Sequence, residues 1–231
     1  MDNSRNFGIE IECFSTCATI VEMVVQALQE RGVDCTFEGY SHEVVDRWKI
    51  VTDSSVKGSY AIEVVSPILR GRKGLQQLRR VLAVLRGLGC QVNYSCGIHV
   101  HHEVKDFNLE ALKSVFAYYK AHELIIDSIV ARSRRGNNSY CKSLLFSSDE
   151  FPKSRYSKLN YQSFAKYGTI EFRQHQGSLS FSKVLNWIEF TQAIALKAQG
   201  ANEAPSLEKM LKILGLENKT SWFLERANEL N

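Results

Sequence analysis

Apolar and polar residues alternate strictly along Phe7-Gly8-Ile9-Glu10-Ile11-Glu12-Cys13, and this alternation predicts a short β-strand. Successive strand side chains point to opposite faces of a sheet, so Ile9 and Ile11 share one face while Glu10 and Glu12 share the other. The two carboxylates then lie about 7 Å apart along the strand. Taken alone, they are the solvated side of an ordinary half-buried strand.

The rest of the hydrophobic pattern predicts short strands and amphipathic helices along the chain. Further strands are predicted at 33–38, 47–52, 59–65, 97–102 and 169–175, and helices at 20–32, 75–87, 109–130, 184–195, 207–214 and 221–230. The turn at 53–58 is short enough to join two of the strands into a hairpin. The element order predicts an α+β fold with a mainly antiparallel sheet, helices packed on one face and a polar opposite face.

Between residues 131 and 160 the periodic pattern gives way to a polar stretch that is rich in Arg and Asn. A connection of this length inside a compact domain is usually functional or disordered. The sequence shows no internal repeat and no obvious linker. We therefore expect a single domain over 1–231, with a C-terminal helical extension from about residue 203.

Charge and composition narrow the classes of function. The chain has 29 basic and 25 acidic residues, a net charge of +4, and no long basic run that would support nucleic-acid binding. The second predicted helix carries Arg79, Arg80 and Arg86, for which a solvated face is a simpler interpretation than a binding patch. The polar start and the lack of an apolar run of about 18 residues predict a cytoplasmic protein. The six cysteines, without a CxxC pair, are expected to be reduced thiols.

Polar residues at i, i+2 spacing recur on several of the predicted strands. They are Glu10 and Glu12, then Glu63, then His99 and His101, and finally Glu171, Arg173 and His175. If these strands adjoin, carboxylates crowd one surface, where two of them at about 4 Å repel by about 4 kcal/mol at an effective dielectric of 20. Such a cluster needs protons or cations, and acids with one or two imidazoles suit Mg²⁺ or Mn²⁺. An arginine beside them would bind a phosphate or another anion.

The order of motifs resembles a known family. GIEIE, DSSV, EVVSP, CGIHVHH and GTIEFRQHQGSL, followed by a helix near Trp187, look like the amidoligase family from about Phe7 to Phe190. That family is grouped with glutamine synthetase and γ-glutamate–cysteine ligase as carboxylate–amine ligases. The resemblance implies a glutamine-synthetase-like fold with the active site on the polar face. It also implies ATP, two or more Mg²⁺ or Mn²⁺ ions, and amide formation through an acyl phosphate.

The resemblance also implies roles for individual residues. It assigns Glu10, His99 and Glu171 to one metal ion, and Glu12 and Glu63, with Asp53 as a further candidate, to the other. It assigns His101 and Arg155 to the nucleotide phosphates and Arg173 to the transferring phosphoryl group. Glu12, Glu171 and Arg173 are accordingly the expected catalytic residues.

Two other classes of function stay open at this stage. The same acids and histidines could serve a metal-dependent hydrolase or phosphotransferase, or the chain could be a catalytically silent binding module. The expected partners are a carboxylate and an amine, each from a small molecule, a peptide or a protein side chain, without nucleic acid or membrane. Assembly into a homo-oligomer and the role of His175 are left open.

Overall fold

The structure, a computed structural model, describes residues 5–41, 43–148, 151–198 and 204–231. Over these residues the strands are β1 (Phe7–Cys13), β2 (Cys35–Phe37), β3 (Trp48–Thr52), β4 (Ile62–Val65), β5 (Gly97–Glu103), β6 (Leu159–Asn160) and β7 (Thr169–Gln176). The α-helices are α1 (Ile20–Gln29), α2 (Gly71–Gly87), α3 (Leu109–Ala121), α4 (Glu123–Ser128), α5 (Gln162–Tyr167), α6 (Phe181–Lys197), α7 (Leu207–Ile213) and α8 (Thr220–Leu230). The predicted α+β class is confirmed.

The chain divides into two compact units. The first consists of Met1–His101 and Gln176–Asn186, and the second consists of His102–His175 and Trp187–Asn231. Strand β5 and helix α6 each supply residues to both units. The expectation of a single domain over the whole chain stays a prediction.

The first unit is built on strands that lie side by side in the order β2-β3-β4-β1-β5. Strand β4 pairs antiparallel with both β1 and β3, and β2 pairs parallel with β3. The predicted hairpin is therefore present as the β3–β4 pair. The register sets Glu12 opposite Glu63, and it sets Val64 opposite both Ile11 and Ile50. Since paired residues point to the same side, the acids share one face and these apolar residues share the other.

The apolar face of this sheet is covered by helix. Ile11, Ile50 and Val64 are fully buried. Trp48 lies two residues before Ile50 and so on the same face, and its indole N–H donates to Gln77 Oε1 at 3.2 Å. Because Gln77 belongs to α2, this helix lies on the apolar face, opposite the paired glutamates.

Helix α1 follows the predicted pattern closely. Its buried residues Ile20, Val24 and Leu28 recur at four-residue intervals, which places them on one side of the helix. The predicted stop at Gly32 is present, with φ of +68° in the left-handed region that favours glycine.

The second unit combines a short strand pair with several helices. Strands β6 and β7 pair antiparallel, with Leu159 opposite Phe172 and Asn160 opposite Glu171. The Phe172 ring is fully buried, and its centroid lies 5.6 Å from the ring of Tyr119 on α3. This aromatic contact joins the strand that carries Glu171 to the helical part of the unit.

The long helix predicted over 109–130 is interrupted at His122, which separates α3 from α4. The buried His122 ring accepts the backbone N–H of Ala204 at Nε2 and lies 2.7 Å from the Tyr118 carbonyl at Nδ1. These contacts link His122 to a residue far along the chain, and hydrophobic periodicity does not report them. Helix α5 was also missed, because six residues are too few to show a period.

The six cysteines are all thiols, and five of them are buried. This state matches the expectation of reduced structural thiols. In the described part of the chain, no helix has both the length and the hydropathy needed to cross a bilayer.

We expect Ile11→Ala to lower the free energy of unfolding by about 2–5 kcal/mol, because it removes buried methyl groups and leaves a cavity. Urea denaturation followed by circular dichroism measures the change. Ile68→Ala is the matched control, since Ile68 is 62% exposed and its truncation should change stability by less than about 0.5 kcal/mol. Equal losses in the two variants would show that the apolar face of β1 is not the core.

Candidate metal and catalytic site

Three side chains of the first unit converge on the polar face of the sheet: Glu12 from β1, Glu63 from β4 and His99 from β5. One ligand atom of each lies within 4.8 Å of the others. The antiparallel register holds Glu12 directly opposite Glu63. Like charges in such a cross-strand pair are destabilising, so a cation or a proton between the two carboxylates would relieve their repulsion.

His99 lies between the two glutamates of β1. Its Nδ1 is 2.9 Å from Glu10 Oε2, and its Nε2 is 3.5 Å from Glu12 Oε1. A neutral imidazole carries one N–H. With the proton on Nδ1, His99 donates to Glu10, and the Nε2 lone pair faces Glu12, where a cation would satisfy both. With the proton on Nε2, the Nδ1 lone pair faces Glu10 instead, and the two residues would share a cation. A carboxylate that orients a histidine toward a metal in this way is common in metal sites.

The Glu12 carboxylate is held in one orientation. Its residue is 5% exposed, and Oε2 accepts the backbone N–H of Gly97 at 2.6 Å. This bond leaves Oε1 on the side of His99. Two carboxylates and one imidazole make a donor set that suits a hard divalent ion such as Mg²⁺ or Mn²⁺, so the residues present fit the expected metal.

Glu10 contacts two imidazoles. Beside its bond to His99, its Oε1 lies 3.4 Å from Nε2 of His101. Burial raises the pKa of Glu10, but hydrogen bonds from His101 and His99 outweigh this effect and hold the pKa well below its ordinary value. Glu10 is therefore an ionised carboxylate at neutral pH, as an orienting group or a ligand must be.

Asp53 does not belong to the converging group of Glu12, Glu63 and His99. It lies in the turn before β4, where its Oδ1 accepts the backbone N–H of Ser55 at 2.7 Å. This bond shapes the turn.

In the second unit, Glu171 and Arg173 form an ion pair along β7. The other Glu171 oxygen, Oε2, accepts the side-chain N–H of Asn160 at 2.6 Å. Glu171 is 4% exposed, so these charge-assisted bonds fix its orientation. Asn160 could not be identified from the sequence, because a two-residue strand has no period that could point to its partner.

Arg155 and Arg173, the two arginines assigned to phosphate, face the ring of Tyr156. The Cζ atoms of Arg155 and Arg173 lie 5.0 and 5.8 Å from its centroid. Cation–π contacts of this kind orient a guanidinium and leave its edge available for an anion. Both arginines therefore contact the same ring, a relation that the sequence did not predict.

A buried ionic network adjoins β7. Lys158 is fully buried, and its Nζ donates to Glu123 Oε1 at 2.8 Å and to Asp127 Oδ1 at 2.6 Å. The Gln174 amide also donates to Asp127, and it accepts the Tyr119 hydroxyl at 2.6 Å. Gln174 follows Arg173 directly, so this network supports the strand that presents the arginine.

The same two carboxylates bind the polar stretch 131–160. Glu123 accepts the Ser143 hydroxyl at 2.5 Å and the Leu144 N–H at 2.7 Å, and Asp127 accepts the Gly136 N–H at 2.9 Å. Near the end of the stretch, the Lys158 carbonyl accepts the N–H of Arg173 at 2.9 Å. The stretch is thus attached to α4 through residues 136, 143 and 144, and to β7 near its end.

His175 is 3% exposed, and its ring centroid lies 5.3 Å from that of Trp187. This contact gives it a packing role within the second unit.

A protein family described as "Putative amidoligase enzyme" matches residues 3–147 and 145–195. Among solved structures, one titled "Crystal structure of novel glutamine synthase homolog" is similar over 98% of this chain and 64% of that chain, with 12% identity and a TM-score of 0.47. This chain therefore spans less than two thirds of the length of that relative. No curated protein matches.

We expect Glu63→Gln to weaken Mn²⁺ binding at least about tenfold, since it removes one of the two carboxylate charges that face each other. Isothermal titration calorimetry or the electron paramagnetic resonance signal of free Mn²⁺ measures the affinity. Glu22→Gln, an exposed change of the same kind on α1, is the control and should bind like the native protein. Native affinity in Glu63→Gln would exclude Glu63 as a ligand.

We expect Lys158→Met to lower the free energy of unfolding by about 3–5 kcal/mol, because it leaves two buried carboxylates without their cation. Adding Glu123→Gln and Asp127→Asn to this variant should recover most of the loss, since the charges are then removed together. Urea denaturation measures both. If the single substitution cost less than about 1 kcal/mol, the network would not anchor this unit.

Proposed function

We propose a reaction for this chain, which belongs to the amidoligase family: ATP-dependent joining of a carboxylate to an amine through an acyl phosphate. The observation that carries the proposal is the convergence of Glu12, Glu63 and His99, whose ligand atoms lie within 4.8 Å of one another. Acids and imidazole in this arrangement suit the divalent ions that accompany ATP in phosphoryl transfer.

The proposed ligands follow the family resemblance. Glu12 and Glu63 would hold one ion, and Glu10, His99 and Glu171 would hold another. When bound, Mg²⁺ or Mn²⁺ would neutralise charge on the ATP phosphates during transfer of the γ-phosphoryl group. The bond between Gly97 N–H and Glu12 supports the first assignment, because it fixes one ligand before any ion binds.

Three basic side chains would bind the phosphates. Arg173 would stabilise the transferring phosphoryl group, and Arg155 and His101 would contact the nucleotide phosphates. The contacts of Arg173 with Glu171 and of both arginines with Tyr156 support this assignment, since they orient the guanidinium groups in advance.

In the proposed first step, a carboxylate oxygen of the substrate attacks the γ-phosphorus of ATP. The bond from this phosphorus to the β,γ-bridging oxygen breaks, and ADP leaves. In the second step the amine attacks the acyl carbon, phosphate leaves with the electron pair of the carbon–oxygen bond, and the amine nitrogen loses a proton to water or a base. The protein contributes position and electrostatic stabilisation.

We expect Glu12→Gln and Arg173→Ala each to lower amine-dependent phosphate release by about 10²-fold or more, since each removes a charge that the transition state needs. The assay supplies Mg-ATP with pooled amino acids, polyamines and peptides, and mass spectrometry identifies the product.

Glu22→Gln and Lys153→Ala, both at exposed positions, are the controls and should retain native rates. An amide product supports the ligase. Phosphate release without an amide in the presence of every amine would indicate a hydrolase, and ADP formation with a phosphorylated acceptor in place of free phosphate would indicate a phosphotransferase. Native turnover in both site variants would contradict the assignment of the residues.

A further inference from the structure

Helix α2 concentrates the positive charge of the chain. It contains five basic residues and no acidic residue: Arg72, Lys73, Arg79, Arg80 and Arg86. The whole chain has 29 basic and 25 acidic residues, so the rest of the sequence carries one net negative charge. The basic character of this protein therefore resides in one helix.

The five side chains form one continuous surface, which we call the basic strip. At 100° per residue they fall within a sector of about 140°, over about 21 Å of helix axis. All five are exposed, whereas the opposite side of α2 buries residues that include Leu78, Leu82 and Leu85. The buried side attaches the helix to the first unit, so the basic strip faces outward.

Acidic neighbours do not neutralise the basic strip. In the described ranges 5–41, 43–148, 151–198 and 204–231, none of its five residues forms an ion pair with a carboxylate. Arg79 stacks on the Phe181 ring at 5.6 Å, and Arg80 reaches only the carbonyl oxygen of Arg31, at 3.5 Å.

The nearest helix does not supply the missing charge. Glu30 directly follows α1, which packs against α2, and its carboxylate accepts the side-chain N–H of Gln26 at 2.9 Å. Basic residues elsewhere do have acidic partners, as the Arg47–Glu38 pair shows. Solubility explains why charged side chains are exposed on this helix. It does not explain why all five charges are positive, because a mixture of acidic and basic residues makes a surface equally soluble.

We propose that the basic strip binds an acidic polypeptide segment in helical form. Arg72, Arg79 and Arg86 recur every seven residues, so they form a row with a repeat of about 10.5 Å. Acidic residues at seven-residue intervals on a partner helix have the same repeat, and such charge rows set pairing between adjacent helices. Lys73 and Arg80 form a second row beside the first.

Two other anionic partners fit less well. A membrane surface requires an apolar side that enters the lipid, and the apolar side of α2 is buried. A nucleic-acid strand presents a phosphate about every 3.4 Å along the axis of a duplex, which is much denser than this row. The exposed residues between the arginines are Gln76 and Ala83. Sites for single-stranded nucleic acid instead carry aromatic side chains on which the bases stack.

Binding at the basic strip is separable from the proposed reaction. The Trp48–Gln77 hydrogen bond places α2 on the apolar face of the sheet, whereas Glu12 and Glu63 lie on the opposite face. A partner on the basic strip would leave these carboxylates accessible. The test below therefore uses the whole chain without ATP or metal, and its result does not depend on the ligase assignment.

The probe is a labelled 22-residue helical peptide with two adjacent rows of Glu at seven-residue intervals, and the same peptide with Gln in place of Glu is its control. Fluorescence anisotropy at low and high salt measures the affinity. The test variant combines Arg72→Gln, Arg79→Gln and Arg86→Gln, since Gln preserves helix-forming tendency. The matched variant combines Lys142→Gln, Lys209→Gln and Lys212→Gln, which removes the same charge from exposed positions elsewhere.

We expect the native chain and the matched variant to bind the Glu peptide with similar affinity, and the test variant to bind about tenfold more weakly. Raising the salt should weaken native binding, and the Gln peptide should not bind. No binding of the Glu peptide by the native chain would overturn the proposal, as would equal losses in the two variants. Tighter binding of a single-stranded oligonucleotide of equal charge would replace the polypeptide with nucleic acid.

Discussion

Two carboxylates that face each other across paired strands are the constraint on which the arrangement of the first unit depends. Glu12 and Glu63 are held opposite by the register of β1 and β4, and separating them would require a slip of the whole strand pair. That slip would turn the fully buried Ile11 and Val64 to the polar face. Burial of the apolar face therefore fixes the strand register, and this register keeps the two carboxylates opposite each other despite their repulsion.

Three groups of like charges in this protein differ in the source of the opposite charge. In the second unit, the chain itself supplies a buried cation, Lys158, to Glu123 and Asp127. The acids of β1 and β4 lie beside imidazoles and are suited to an external cation. The basic strip on α2 is suited to an external anion. A charged group whose opposite charge comes from the chain thus has a structural role, and a group whose opposite charge must come from outside is suited to binding.

The sequence predicted those parts that have a period. Alternation along β1 assigned Glu10 and Glu12 to one face, and the spacing of His99 and His101 placed both on the same side of β5. It could not predict the contacts of Asn160, Tyr156 and Lys158, because these are set by tertiary packing that no local period reports. The break at His122 was missed for the same reason, since His122 bonds to the backbone of Ala204, a residue far along the chain.

The anchoring of the stretch 131–160 has a consequence for its conformational entropy. A polar segment of this length, if unattached, would lose much of its backbone freedom only when a ligand ordered it, and the affinity would fall by that cost. Here the bonds to Glu123 and Asp127 impose the order during folding. Arg155 and Tyr156 lie between Leu144 and Lys158, both of which these bonds attach, and a ligand that meets them need not supply the free energy of ordering those attached residues.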